Sequence, residues 1–164
     1  MSEFIIKKLE TDTEINDMGY VHFKSWHQTY TGLIDSGYLN SFTLEKAKMI
    51  ALSRKNNALI AKVGEKVVGF VGFGPYRDAK NYDIGEVYSI YVLAHYQGRK
   101  IGYNLINAAI ENLYNYKNIV LWVLKDNNKA ISFYEKCGFR LDGVEKNVML
   151  GTENTELRMT YDRF

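Results

Sequence analysis

The chain has very little cysteine and proline: Cys137 and Pro75 are the single examples of each among 164 residues. One cysteine cannot form an internal disulfide, so a disulfide-stapled scaffold is excluded and a reducing compartment is expected. No linker rich in Pro, Gly or Ser divides the sequence, and its length is typical of one domain. We therefore expect a single domain over residues 1–164, located in the cytoplasm.

An excess of charge of one sign and long hydrophobic runs are also lacking. The 21 Lys and Arg residues nearly balance the 19 Asp and Glu residues, which leaves a net charge of +2. A nucleic-acid or membrane-surface partner would require a clustered basic face, and no run approaches the ~18–20 apolar residues of a membrane span. The histidines and the cysteine have no spacing typical of a zinc site. We expect a small-molecule partner, with no nucleic acid, membrane or metal.

Hydrophobic periodicity predicts an alternation of strands and helices. Apolar spacing indicates helices over residues 13–25, 44–51, 101–113 and 128–136, whereas residues 25–34 look irregular. Strands are predicted over residues 4–9, 58–63, 67–74, 84–92, 118–124, 139–144 and 155–161. The order βααβββαβαββ indicates an α/β fold (α+β in type), in which helices flank a central mixed sheet.

The segment Gln97-Gly98-Arg99-Lys100-Ile101-Gly102 lies between a predicted strand and a predicted helix. A strand-to-helix turn of this kind presents unpaired backbone N–H groups at the positive end of the helix dipole, which favours a bound phosphate. Glycine permits a close approach of the backbone, while Arg99 and Lys100 add positive charge. Taken alone, the segment also fits an ordinary polar connection with a solvated pair of basic residues.

A second cluster spans residues 127–139 and contains Asn127, Ala130, Phe133 and Tyr134 before the pair Gly138-Phe139. By itself it fits a short helix with an Asn N-cap, a terminating Gly, and Phe and Tyr side chains in the core. That interpretation does not explain why the two motifs occur together, separated by one buried strand.

Together, the two motifs resemble the GNAT superfamily of N-acetyltransferases. Gln97 and Gly102 match the family's phosphate-binding signature Q/R-x-x-G-x-G/A, and the second cluster matches N-x-x-A-x-x-F-Y-x-x-x-G-F at each defined position. The predicted order of elements also agrees with the family fold, so the resemblance covers most of the chain. Lys100 departs from the pattern, which usually has glycine there. We expect a helical conformation at Lys100, which would tolerate the side chain.

The resemblance implies transfer of an acetyl group from acetyl-coenzyme A (acetyl-CoA), as co-substrate, to an amine. Backbone N–H groups of the segment Gln97-Gly98-Arg99-Lys100-Ile101-Gly102 would bind the pyrophosphate. Tyr91 and Val92 would pair with the pantetheine arm, and the N–H of Val92 would polarise the thioester carbonyl. Asn127 would contact the cofactor arm. Tyr134 would protonate the leaving thiolate as a general acid.

Glu86 is the candidate general base. An alkylamine with a pKa near ~10.4 is almost entirely protonated at neutral pH, and only its neutral form attacks, so a base is useful. In many family members a Glu on this strand has that role. Alternating side chains predict that Glu86 shares a face with Tyr88, Ile90 and Val92. The alternatives are an edge carboxylate or a structural hydrogen bond for Glu86, and a packing role for Tyr134.

The acceptor is expected to be the primary amine of a small molecule, with Trp26 and Tyr30 as candidate substrate-binding residues. The first helix region and the closing segment, residues 151–159, look like bacterial members that acetylate polyamines. A protein or peptide amine is the second enzymatic option, and a non-catalytic acyl-CoA sensor is an alternative of a different class. Homodimers are common in the family, so the resemblance leaves a homodimer open.

Overall fold

The computed structural model describes residues 3–78 and 83–163, which form a seven-stranded mixed sheet with helices on both faces. The strand order is β1-β2-β3-β4-β5-β7-β6, and the β4–β5 pair is parallel whereas the others are antiparallel. The strands are β1 (Ile5–Lys8), β2 (Ala58–Val63), β3 (Lys66–Pro75), β4 (Ile84–Val92), β5 (Asn118–Leu124), β6 (Arg140–Leu150) and β7 (Thr152–Asp162). This sheet confirms the fold class that the sequence predicts.

The helices are α1 (Asp12–Tyr30), α2 (Ser36–Ser41), α3 (Leu44–Ser53), α4 (Ile101–Asn112) and α5 (Asn128–Lys136). The first helical region differs from expectation, because α1 continues through most of the segment predicted to be irregular and α2 adds a short helix to the predicted order. A capping box between Thr11 and Glu14 starts α1. Near its end, Trp26 and Tyr30 lie one turn apart with ring centroids 4.6 Å from each other. Aromatic contacts of this kind extend the helix without producing a clear apolar stripe.

Buried side chains form a core on each face of the sheet. On one face, Leu105 and Ile106 of α4 pack against sheet residues such as Val87 and Leu121. On the other face, Ile15 and Val21 of α1 join Ala51 of α3 over the strands. Cys137 belongs to the α4 side, and burial raises the pKa of its thiol to about 11. This cysteine is therefore a buried core residue.

A bulge in β4 reverses the alternation of its side chains. Gly72 pairs with Ser89, but the next residue of β3, Phe73, pairs with Val87, so Tyr88 is an extra residue in β4. Val87 and then Ile90 therefore both face the α4 core. Glu86, which precedes Val87, points to the opposite face. The prediction that Glu86 shares a face with Ile90 and Val92 is wrong, because it assumed an unbroken strand.

Strands β4 and β5 stay paired for only a short distance. The pairs run from Ile84 with Asn118 to Glu86 with Val120. Beyond them, β5 continues to pair with β7 as far as Leu124, while β4 stays with β3. The two central strands separate, and the sheet has an opening at its middle.

Candidate active site

Two cavities open where β4 and β5 separate, and they share Tyr88, Ser89 and Tyr91 of β4. The larger cavity has a volume of about 630 Å³ and the smaller cavity about 440 Å³. Both volumes lie in the range of small-molecule sites. The three shared residues of β4 form a wall common to both cavities.

The larger cavity brings together most of the predicted cofactor and catalytic residues. Those that line it are Tyr91, Val92, Gln97, Gly98, Lys100, Gly102, Asn127 and Tyr134. Two predicted cofactor residues point elsewhere: the Arg99 guanidinium lies over the Tyr96 ring at 5.2 Å, and Ile101 is buried in the core. Neither residue lines this cavity.

Helix α4 begins without a side-chain cap. Thr11, Thr43 and Asn127 cap α1, α3 and α5, so the start of α4 is unlike these three. Its first-turn N–H groups are left available beside the cavity, at the positive end of the helix dipole, which is a favourable place for an anion. Gly102 lies close to α5: a Cβ there would be 3.3 Å from the Phe133 ring, so that ring would have to shift by a few tenths of an ångström.

Lys100 adopts a left-handed conformation, with φ 65° and ψ 8°. It is the one non-glycine residue with positive φ in the described part of the chain. The prediction of a helical Lys100 is wrong because the helix begins one residue later, and the turn that directs the N–H groups of α4 falls on Lys100 itself. The family pattern has glycine at this position, and glycine adopts this conformation without a steric cost.

We expect Lys100→Gly to raise the free energy of unfolding by about 0.5–1 kcal/mol. A left-handed conformation costs a non-glycine residue about 1–2 kcal/mol, and the greater freedom of glycine in the unfolded chain offsets part of that gain. Urea denaturation of the two proteins measures the difference. Lys100→Ala is the control, because it removes the ammonium group and keeps the strained backbone. Equal gains in both variants would assign the effect to charge and contradict the conformational explanation.

Three tyrosines meet at the opening between the strands. The hydroxyl groups of Tyr30 and Tyr91 are hydrogen-bonded at 3.2 Å. Burial raises the pKa of Tyr134, and nearby Tyr30 adds to the effect. Burial likewise raises the pKa of Tyr91 well above its usual value. All three hydroxyls are therefore protonated at neutral pH, so each has a proton to donate.

Two further groups of the larger cavity have donors that can face a ligand. The Asn127 Oδ1 accepts the N–H of Ala130 at 3.2 Å, which leaves the amide NH₂ as a donor. The N–H of Leu93 donates to Val68 of β3. Because N–H directions alternate along an antiparallel strand, the N–H of Val92 points away from β3, toward the opening.

Glu86 is almost fully buried and is held by Arg77. The backbone N–H of Arg77 donates to Oε1 at 3.0 Å, and its Nη2 donates to Oε2 at 2.8 Å. Glu86 lines neither cavity, although its neighbours Arg77 and Tyr88 line the smaller one. A carboxylate accepts several hydrogen bonds, so this pairing leaves acceptor capacity for a water or an amine.

Of the two predicted substrate-binding residues, Tyr30 lines the larger cavity and Trp26 the smaller. The smaller cavity also contains residues that the sequence analysis missed, above all Arg54 and Arg77. They belong to the end of α3 and to the segment after β3, and no local motif connects these distant parts of the chain.

Glu156 is a further residue that the sequence analysis missed. It is half-buried on β7, opposite Leu124, and burial raises the pKa of its carboxyl group. It is also close enough to Tyr30 and Tyr91 to contribute to the raised pKa of each, after burial. In the sequence, Glu156 and Arg158 alternate with Leu157 and Met159, which are core residues. This alternation could have identified a polar face of the strand.

The described residues contain no group of three or more His, Cys, Asp and Glu side chains that could bind a metal ion. Over those same ranges, 3–78 and 83–163, no helix is long and apolar enough to span a membrane.

Comparison with known proteins gives matches in sequence and in structure. A model of the acetyltransferase (GNAT) family matches residues 20–139. An uncharacterized N-acetyltransferase of Bacillus subtilis, YuaI, is 34% identical over 127 residues, which cover 74% of this chain and 72% of the relative. A protein of Bacillus subtilis subsp. natto named "Probable spermine N(1)-acetyltransferase" is 33% identical over 84 residues, 47% of this chain and 55% of that protein. The crystal structure of a PaiA N-acetyltransferase from Thermoplasma acidophilum in complex with coenzyme A has a TM-score of 0.76 at 21% identity, covering 98% of this chain and 99% of that one.

Proposed function

Because the chain belongs to the GNAT acetyltransferase family and is an acetyl-CoA-dependent N-acetyltransferase, we propose that it acetylates the primary amine of a small molecule. The amine attacks the thioester directly while both substrates are bound. One observation carries the proposal: the larger cavity combines the uncapped start of α4 with Tyr134 at the opening between β4 and β5.

Acetyl-CoA fits the donors of this cavity. The first-turn N–H groups of α4, together with the Lys100 ammonium, suit the pyrophosphate. The N–H of Val92, which β5 no longer covers, suits the thioester carbonyl, where a positioned donor is typically worth a few kcal/mol in the transition state. The amide of Asn127 suits the pantetheine arm. Each role uses a group for which the described structure provides no competing acceptor.

In the proposed reaction the amine nitrogen forms a bond to the carbonyl carbon and the carbon–sulfur bond breaks. The proton lost by the amine passes to Glu86 through a water, since Glu86 lines neither cavity. The departing thiolate takes a proton from the Tyr134 hydroxyl. The raised pKa of Tyr134 keeps that proton in place at neutral pH until the thiolate develops.

The two cavities favour a small-molecule acceptor, since the smaller one has the volume of a small-molecule site, about 440 Å³, and shares a wall with the larger one. Polyamine acetylation is the option suggested by the first-helix resemblance and by the relative named for spermine. A protein or peptide amine is the second enzymatic option. A sensor that only binds acyl-CoA would not need the hydroxyl of Tyr134.

Calorimetric titration of acetyl-CoA into the purified protein tests the proposal, with ATP and NADH as controls. We expect selective binding with a micromolar dissociation constant, followed by thiol release when small amines are added. Absence of acetyl-CoA binding would overturn the proposal. Tight binding without thiol release from any amine would instead support the sensor.

A further inference from the structure

The walls of the smaller cavity are aromatic and cationic. Helices α1 to α3 and the segment after β3 form them, against the bulged part of β4. The rings of Trp26 and Phe42 contribute, and the charged residues that line it are Lys46, Arg54 and Arg77. No Asp or Glu is among the described lining residues. The cavity is therefore positively charged.

Arg54 has no direct partner for its positive charge. Its side chain is half-buried. No described residue accepts a hydrogen bond from its guanidinium group or forms an ion pair with it. Its guanidinium carbon lies 5.7 Å from the centre of the Tyr88 ring, and that of Arg77 lies 4.3 Å from the same ring. Two guanidinium groups are thus held close to one side chain, and the Glu86 carboxylate pairs directly with Arg77 but acts on Arg54 only through space.

The other polar groups of this cavity do not supply the missing negative charge. Lys46 adds a third cation, whose ammonium donates to the Ser41 carbonyl at 2.8 Å. His22 is neutral at physiological pH, because burial and then the nearby Arg54 lower its pKa to about 4. A bound anion would relieve the repulsion between the two guanidinium groups, and a further cation would increase the total repulsion in the cavity.

The smaller cavity also adjoins the larger one. Tyr88, Ser89 and Tyr91 line both cavities, and Tyr91 is hydrogen-bonded to Tyr30 on the cofactor side. A molecule with one end beside Arg54 can therefore present its other end to the opening between β4 and β5. The carboxylate of Glu156, which lies near Tyr30 and Tyr91, is of the right charge for an ammonium group arriving there.

We infer that the smaller cavity binds the anionic group, a carboxylate or a phosphate, of an acceptor whose amine is acetylated at the opening. This inference rests on the proposed function and narrows its substrate class. An acceptor with several ammonium groups would place positive charge beside Arg54 and Arg77, so a polyamine is disfavoured. The guanidinium groups offer paired N–H donors that match carboxylate and phosphate oxygens.

Matched pairs of acceptors test the inference on the unmodified protein. The first pair is 4-aminobutanoate and 1,4-diaminobutane, and the second is 2-aminoethyl phosphate and 2-aminoethanol, with spermidine as the polycation. Thiol release from acetyl-CoA gives kcat/KM for each. We expect the anionic member of at least one pair to exceed its partner by about tenfold or more, since hydrogen bonds between charged groups are worth that much. The pair that responds distinguishes carboxylate from phosphate.

Substitutions of residues that line the smaller cavity then show whether the preference for anionic acceptors arises there. Arg54→Gln should lower kcat/KM about tenfold for the anionic acceptor and less than about threefold for 2-aminoethanol, with the affinity for acetyl-CoA retained. Lys46→Gln, at an exposed position, should have a smaller effect of the same direction. Lys55→Gln is the matched control: it removes one positive charge next to Arg54 in sequence from an exposed side chain that lines neither cavity.

The outcomes separate this inference from the proposed function. The inference would be overturned if diamines or spermidine were acetylated more efficiently than the anionic acceptors and if Arg54→Gln did not change that order. The proposed acetyltransferase function would then still stand. An equal loss in Arg54→Gln and Lys55→Gln would also overturn it, because a general field effect would then explain the preference. Failure to bind acetyl-CoA, or to release thiol with any amine, would remove the proposed function and the inference together.

Discussion

Tyr134→Phe is expected to reduce kcat by roughly 100-fold or more, because general acid catalysis typically contributes a factor of that size. The substitution removes a single hydroxyl and keeps the ring, so packing against Phe133 and Phe139 should persist. The affinity for acetyl-CoA should change by less than about threefold. Steady-state thiol release gives kcat, and calorimetry gives the dissociation constant.

Tyr114→Phe is the control for that experiment, since Tyr114 is 73% exposed and lines neither cavity. Its turnover should equal that of the unmodified protein. An acceptor amine that transfers its own proton to the thiolate would make Tyr134 unnecessary. Turnover in Tyr134→Phe within about twofold of the control would therefore reject the assigned role.

Glu86→Gln is expected to lower kcat at neutral pH by roughly 100-fold, the usual contribution of a general base. Glutamine has the same shape and still accepts the N–H of Arg77, but it cannot take up the amine proton. The variant depends on the small fraction of acceptor amine that is already neutral, so its loss of activity should shrink as the pH rises toward the amine pKa of ~10.4. The pH dependence of kcat measures this recovery, and thermal denaturation shows whether the variant is folded.

The same loss of activity could arise if Glu86 merely positions Arg77, which lines the smaller cavity. Arg77→Gln separates the two roles. A positioning role predicts that both variants raise KM for the acceptor and that their losses stay the same at alkaline pH. A catalytic role predicts recovery of kcat at alkaline pH in Glu86→Gln alone. A loss of kcat in Glu86→Gln that is unchanged at alkaline pH would eliminate Glu86 as the base.

The secondary structure was largely predictable because local patterns decide it. The apolar spacing of Ile101, Leu105 and Ala109 defined α4, and Asn127 marked the start of α5. Both motifs of the larger cavity were visible, since each is a continuous segment whose backbone geometry follows from its own residues. The end of α1 was less clear, because rings such as Trp26 and Tyr30 stabilise it by contacts that a hydropathy pattern does not register.

Other features depended on how the chain folds in space. The left-handed Lys100 follows from where α4 begins relative to the strand before it, and the orientation of Glu86 follows from the pairing of β4 with β3. A bulge is a property of two strands together, so one strand's alternation could not reveal it.

The sequence by itself determined the fold class, the family and the segment that presents N–H groups to an anion, because these depend on residues close together in the chain. Only the tertiary structure decided which charges meet. Arg54 and Arg77 are 23 positions apart and come together on Tyr88, while Glu86 turns away from the larger cavity toward Arg77. Electrostatic interactions depend on distance through space rather than along the chain. The positive charge of the smaller cavity is therefore set only when the sheet is assembled.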